Sequence, residues 1–263
     1  MHKAIRAIFA LVAILLILPN MTFAEDNSSD WRSKRYSVEF QFGGGYWMME
    51  DVNNYLPEAT FAAGSTDEIN IGMQLGVGFF LRQLEDFGWA FGYNGFMTPQ
   101  KHRRSTYFTS TESWAEQTVS GGELYFLPTW IFPWDNKEIT FSVGPAFYTA
   151  KVNRSVSIVR TEGAGANAAG SFEDAKGTTL GAVIAAGLEF PMKDDFYLRL
   201  NLGGRFAKIA KIYEETPDGA GGIIKQEIKR GSGSSFAVDY SGVYLNLAIR
   251  AYFQPDTKWR SLQ

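Results

Sequence analysis

The chain reads as all-β: an eight-stranded antiparallel up-and-down transmembrane β-barrel with long extracellular loops and short periplasmic turns. Three observations predict it. Large apolar residues recur at every second position through eight segments, no stretch holds a 3.6-residue apolar period, and the connections alternate strictly between short and long.

The first segment is Val38-Glu39-Phe40-Gln41-Phe42-Gly43-Gly44-Gly45-Tyr46, and the second, Ile69 to Leu81, sets Ile69, Ile71, Met73, Leu75, Val77, Phe79 and Leu81 against Asn70, Gly72, Gln74, Gly76 and Gly78. The third, Phe87 to Met97, keeps Phe87, Trp89, Phe91 and Tyr93 in phase. The fourth, about Ser120 to Phe132, alternates Leu124, Phe126 and Trp130 with Glu123, Tyr125 and Thr129. In the fifth, Ile139 to Val152, Ile139, Phe141, Val143 and Phe147 oppose Thr140, Ser142, Gly144 and Ala146. The sixth, Thr179 to Phe190, gathers Leu180, Ala182, Ile184, Ala186, Leu188 and Phe190 on one face. The seventh, Phe196 to Phe206, sets Phe196, Leu198, Leu200 and Leu202 against Tyr197, Arg199, Asn201 and Arg205. The eighth ends in Val243, Leu245, Leu247, Ile249, Ala251 and Phe253, opposed by Tyr244, Asn246, Ala248 and Arg250.

Short connections rich in turn residues follow the second, fourth and sixth segments: Gln83 to Asp86, Pro133 to Lys137 and Pro191 to Asp195. The other four are long, about Met49 to Glu68, Thr98 to Val119, Asn153 to Thr178 and Lys208 to Ser235. That asymmetry separates periplasmic turns from extracellular loops and places both ends of the barrel, residues 37–253, on the periplasmic side. Ser155 to Arg160 and Ile209 to Tyr213 keep alternating, and Pro217-Asp218-Gly219 before Ile223-Ile224 reads as a hairpin tip. Ribbons rising above the membrane are therefore expected, with Gly163 to Gly170 as a mobile apex.

A soluble barrel would also alternate, but with large apolar residues inside and charges outside. Here the other face carries Gly, Ala, Ser and Asn and few charges, which suits a narrow lumen. Aromatic residues fall in two bands: Phe87, Trp89, Trp130, Phe132, Trp134, Phe190, Phe196 and Phe253 by the short turns, and Tyr46, Trp47, Tyr93, Phe147 and Phe206 by the far ends. They are placed as interfacial girdles. Pro128 and Pro145 interrupt strands of a barrel that has no free edge, so a bulge or local widening is expected there.

Residues 1–24 read as a cleaved signal peptide: Lys3 and Arg6, an apolar run from Ala7 to Leu18, then Thr22-Phe23-Ala24. The run is too short for a helical span. A polar lead, 25–36, follows, and a periplasmic tail, 254–263, closes the chain. Net charge is −3 before Lys3 and Arg6 are lost, so no basic face suits nucleic acid. Without cysteine, and with His102 alone after processing, thiolate and two-histidine sites are excluded. No cofactor and no metal are expected.

With these features and the closing segment Gly242-Val243-Tyr244-Leu245-Asn246-Leu247-Ala248-Ile249-Arg250-Ala251-Tyr252-Phe253, the chain resembles the small outer-membrane β-barrel superfamily that includes OmpA/OmpX-type and OmpW-like proteins. The resemblance covers nearly all of the chain after the signal. It implies the bacterial outer membrane, a monomer, and recognition of the last strand by the barrel-assembly machinery. That signal usually ends on an aromatic residue, whereas here Gln254 to Gln263 follow Phe253.

The candidate lumen network is Glu39, Glu123, Glu189, Arg199, Arg205 and Arg250, with Glu39 and Arg250 on strands that become neighbours when the barrel closes. Tyr125 and Tyr244 should share the lumen. The candidate contacts to lipopolysaccharide phosphates are Lys101, Arg103, Arg104, Lys151, Arg154, Lys208 and Lys211, at the extracellular strand ends. Some eight-stranded barrels are lipid A deacylases or acyltransferases, and His102 stands three residues before Ser105, but no motif of those enzymes surrounds them. No catalytic residue is assigned. Gly43-Gly44, Gly121-Gly122 and Gly203-Gly204 precede no helix, so they fit close packing rather than phosphate binding. The expected function is a structural or surface-interaction barrel whose lumen is filled by side chains. A narrow channel for small or hydrophobic solutes is the alternative, and a lipid-modifying enzyme the third.

Overall fold

The computed structural model describes residues 35–54, 69–98, 101–107, 111–160, 166–167, 172–193, 195–219, 221–229 and 233–253. Residues 1–24 and 254–263, read above as signal peptide and periplasmic tail, lie outside them, as does most of Gly163 to Gly170. The elements are β1 (Tyr36–Trp47), α1 (Glu50–Asn54), β2 (Ile71–Arg82), β3 (Phe87–Met97), β4 (Lys101–Tyr107), β5 (Thr111–Trp134), β6 (Lys137–Arg160) and β7 (Ala166–Asn167). After them come β8 (Phe172–Lys193), β9 (Phe196–Phe206), β10 (Lys208–Ile209), β11 (Tyr213–Pro217), β12 (Ile223–Glu227), β13 (Val238–Asp239) and β14 (Gly242–Phe253).

Eight strands pair antiparallel with their sequence neighbours, in the order β1, β2, β3, β5, β6, β8, β9, β14, and β14 returns to β1 to close the ring. Closure runs without a slip from Tyr36↔Phe253 to Trp47↔Gly242. A closed ring leaves no edge of unpaired backbone, the condition for strands to sit in hydrocarbon.

The polarity is inverted relative to a soluble barrel. Phe40 is 67% exposed and Leu75 62%, whereas Glu123 and Arg250 are 1% exposed inside. Phe42, Met73, Phe79, Phe126, Leu202 and Ile249 continue the outer belt. An apolar surface of this extent has no stable contact with water and meets lipid. The interfacial bands hold at Tyr46, Tyr93, Phe147 and Phe206 above and at Trp130, Phe132, Trp134, Phe196 and Phe253 below. Trp47 is a correction: one residue past Tyr46, it takes the lumen parity and is wholly buried. Ile69 is another, since it precedes β2 and is buried above the barrel rather than facing lipid.

Of the bulge or local widening expected at Pro128 and Pro145, no bulge forms, and the ladder is interrupted locally instead. Strands β5 and β6 keep one register through the site, pairing Tyr125↔Ala146 and then Thr129↔Ser142, but no rungs join Phe126–Pro128 to Val143–Pro145. In this register the two prolines sit in one three-rung gap, so both missing N–H donors fall in a single interruption. Gly144 lets the strands stay close there: a Cβ on it would stand 2.6 Å from the Phe126 carbonyl oxygen and 3.2 Å from Leu127 Cδ2. Register shifts occur instead between Val152 and Arg154, and between Pro191 and Lys193.

The long connections are largely strand. β5 and β6 are 24 residues each and β8 is 22, more than twice the span a bilayer needs, so they continue upward as a wall flanked by β4 and by the β11–β12 hairpin. The hairpin turns at Pro217 to Gly222, with Gly219 and Gly221 at φ of 76° and 92° and the Gly222 N–H donating to Asp218 Oδ1 at 2.7 Å. Ile209 to Tyr213 departs from the expected rising ribbon. Ile209 and Ile212 turn inward onto β8, each 2.6 Å from the place a Cβ on Gly177 would take.

Candidate functional site

Alternation delivers polar side chains from all eight strands into one narrow lumen, where they form three tiers. In the lowest, by the short turns, Arg82 grips Glu138 with both Nη atoms, at 2.5 and 3.1 Å. Arg250 donates to Glu189 at 2.7 Å and to Glu39 at 2.6 Å, and the Tyr252 hydroxyl donates to Glu189 at 2.6 Å. Arg199 reaches the same Glu39 oxygen at 3.0 Å and donates to the Thr140 hydroxyl at 2.9 Å. Phe80 lies under the Arg250 guanidinium, 4.9 Å away.

The middle tier is a chain of amides. Gln41 donates to Asn94 at 2.7 Å, Asn94 donates to Glu123 at 2.7 Å, and Asn246 donates back to Gln41 at 3.1 Å. Above it, Arg205 Nε donates to Glu123 at 2.6 Å, and its Nη2 donates to Gln74, which in turn donates to Asn246. The guanidinium is stacked between Tyr244 at 4.1 Å and Phe96 at 4.6 Å.

Among the described lumen residues of these tiers, four guanidinium groups face four carboxylates. Arginine suits the task because its planar fork serves two acceptors at once and stays charged. Burying such pairs adds little net stability over an apolar filling. Its consequence is occupancy: the space left beside Asn94, Tyr125, Leu127 and Asn201 is about 30 Å³, room for a water or two. Glycines on the lumen face receive the large side chains, Gly203 under Tyr244, Gly121 under Tyr240 and Gly72 under Trp47.

An aromatic lid closes the extracellular mouth. Phe96 lies 5.7 Å from Trp47, 5.3 Å from Tyr240 and 6.5 Å from Tyr148, ring centre to ring centre. Tyr240 fixes the last long connection to the wall by donating to the Ser120 carbonyl at 2.9 Å. Over the lid, Met49 just before α1 and Val52 within it, together with Ile209, Ile212, Phe236 and Val238 from the connection between β9 and β14, are all buried. The extracellular end thus has its own apolar core, which alternation along the barrel strands did not announce.

All six lumen residues proposed from sequence, Glu39, Glu123, Glu189, Arg199, Arg205 and Arg250, lie in this network, with Tyr125 and Tyr244 beside them. Arg82 and Glu138 escaped the sequence reading, although carrying the alternation of the second and fifth segments one residue further toward the short turns would have found both. The basic rim is more dispersed. Arg154 is a correction: it is 8% exposed and turned into the extracellular core. Lys151 is held by Asp174 at 2.7 Å and Lys211 stands 3.8 Å from Glu227, while Lys208 is exposed. The side chains of Lys101, Arg103 and Arg104, like those of His102 and Ser105, lie outside the described part; their backbone forms β4 against β5.

No protein-family model matches the chain, and no curated protein sequence matches it. Solved structures do. OprG of Pseudomonas aeruginosa is similar at a TM-score of 0.43 and 10% identity, covering 84% of this chain and 97% of its own. Neisserial surface protein A gives 0.40 and 10%, over 83% and 96%. Ail, the attachment invasion locus protein of Yersinia pestis, gives 0.32 and 9%, over 83% and 98%. On its own geometry, apolar belt outside and paired charges within a closed ring of eight strands, the chain is a small eight-stranded transmembrane β-barrel.

Proposed function

We propose that this barrel is a closed scaffold whose work is done by its extracellular surface, in a structural or surface-interaction role. One observation carries the reading: from Arg250 up to Trp47 the lumen is filled by interlocked side chains, and the cavity beside Asn94 and Tyr125 is about 30 Å³. Eight strands leave an interior that side chains can fill, and here they do. Solute passage would require breaking the Arg205 to Glu123 and Arg250 to Glu39 contacts at two heights together with the aromatic lid. Meanwhile β5, β6, β8 and the β11–β12 hairpin spend many residues outside the membrane on a rigid frame, where binding surfaces belong. Lipopolysaccharide is the proposed partner of the exposed Lys208 and of the basic residues that β4 carries in sequence, Lys101, Arg103 and Arg104. Planar-bilayer recording of the refolded chain tests the reading. Absence of steady unitary current is expected, and sustained openings from the wild-type protein would replace it with the narrow channel for small or hydrophobic solutes.

A further inference from the structure

Above the membrane, β6 and β8 slip by one residue. Val152 pairs with Ala175 and Arg154 with Phe172, so Glu173 and Asp174 stand together opposite the single Asn153. Asp174 takes a left-handed φ of 51°, its N–H donates to Asn153 Oδ1 at 2.6 Å, and its carboxylate holds Lys151 at 2.7 Å. A bulge of this kind splays neighbouring strands and re-aims their side chains. Here it leaves a hollow of about 290 Å³, open to solvent on one side and floored by the buried Arg154 and Phe172. The volume is the lower end of what small-molecule sites use.

The lining has a definite chemical character. Glu116, Glu173 and Asp174 supply carboxylates, Thr118 and Ser155 hydroxyls, and Asn153 an amide whose Oδ1 is already engaged, leaving its NH2 group to donate. A cationic ligand would meet the charges of Arg154 and the Asp174-bound Lys151 and leave the Asn153 NH2 group unused, and an anionic one is opposed by three carboxylates. A ligand hydroxyl, by contrast, both donates and accepts, and the wall offers carboxylate acceptors beside hydroxyl and amide donors. We propose that this hollow binds a neutral, hydroxyl-rich ligand: one pyranose unit of a surface glycan. The assignment deepens the reading of the extracellular surface as the working part of the molecule and rests on it.

The test uses the full exported chain refolded in a zwitterionic detergent without a sugar headgroup. Saturation-transfer NMR is recorded with glucose, galactose, mannose and N-acetylglucosamine, with glucose 6-phosphate and lysine amide as charged counterparts. At least one neutral sugar should receive saturation, and glucose 6-phosphate should receive less than glucose. Thr118→Ala combined with Ser155→Ala, which removes two hydroxyls without touching the bulge, should weaken binding roughly ten-fold, the loss of one to two hydrogen bonds. The double variant's β-sheet circular dichroism and heat-dependent mobility on gels should match wild type, so that lost binding is not lost folding. Saturation of lysine amide alone would make the hollow a cation site, and no saturation of any neutral sugar, or binding that survives the double substitution, would overturn the proposal. Bilayer recording of the same preparation separates the two readings: a conducting barrel that still binds sugar would overturn only the closed-scaffold reading.

Discussion

Glu39 and Arg250 are direct cross-strand partners on the two strands that close the barrel, and a single Glu39 oxygen accepts from Arg250 at 2.6 Å and from Arg199, one strand further on, at 3.0 Å. One carboxylate therefore ties β1, β14 and β9 together at the seam where chain ends meet. Removing it takes the carboxylate from Arg199, which keeps its Thr140 contact, and leaves Arg250 to Glu189, in a space that water enters poorly. Glu39→Gln should destabilise the barrel by about 3–5 kcal/mol in a urea titration in lipid vesicles. Adding Arg199→Gln should then cost less than it does alone, because its partner is already gone; additivity within about 0.5 kcal/mol would mean that the two do not share the carboxylate.

Leu200 and Asn201 test which face meets lipid. Leu200 pairs with Leu188 and Leu247 on the outer side, whereas Asn201 is 5% exposed inside. Leu200→Arg places a charge in hydrocarbon and should cost about 2–4 kcal/mol near the midplane. Asn201→Ala should cost less, because the buried Asn201 Oδ1 has no hydrogen-bond partner to lose. A reversed order in the same titration would put the wrong face outward.

Gly72 and Trp47 form a lock at the mouth. The indole fills the place a Cβ on Gly72 would take, and the Met97 carbonyl oxygen lies 2.9 Å from the same point. Gly72→Ala should lower stability by about 1–3 kcal/mol through overpacking. Against a Trp47→Ala background the same change should be better tolerated, since the ring no longer competes for the space. Equal penalties in both backgrounds would show that the backbone carbonyl, rather than the ring, demands the glycine.

The β11–β12 hairpin should respond to acid. Lys225 faces Glu215 across the ladder at 2.8 Å, and its hydrogen bond lowers the Glu215 pKa below the ordinary 4.5 while Glu215 raises that of Lys225 above 10.5. A lowered carboxylate contributes above its ordinary value and loses that contribution as pH falls through the lowered one. A raised amine contributes below its ordinary value and loses it as pH rises through the raised one. Amide exchange at Glu214 to Gln226 should thus stay flat from about pH 5 to pH 10, after correction for intrinsic rates, and show reduced protection below pH 4.5. Both groups are exposed, so the effect is small and 1 M salt should weaken it. Unchanged protection at pH 3 would leave the pair without a structural role.

Replacing Lys208, Arg103 and Arg104 together by alanine should leave folding in neutral detergent nearly unchanged, because the exposed charge of Lys208 contributes little and Arg103 and Arg104 belong to β4, which is outside the closed ring. It should weaken association with lipopolysaccharide at low salt more than at high salt. Triple-variant binding equal to wild type at both salt concentrations would reduce the rim to a solvated surface.

Sequence alone settled the barrel because its information is local. A period of two fixes which residues share a face, and turn residues fix where strands reverse, so Glu39, Glu123, Glu189, Arg199, Arg205 and Arg250 could be placed inside without knowing any distance. Alternation also carried the rule one residue too far or stopped one short: Trp47 belongs to the lumen rather than the girdle, and Arg82 and Glu138 lay just beyond the segments drawn. What tertiary structure decided is everything that depends on how far apart non-neighbouring strands lie. That Glu39 serves two arginines, that Pro128 and Pro145 fall in one gap, that Arg154 turns inward, and that a bulge at Glu173 and Asp174 opens a hollow all follow from inter-strand register and curvature. Those are set by ring closure and by the packing of Ile209, Ile212, Phe236 and Tyr240 over the mouth, contacts between residues far apart in the chain that no local pattern encodes.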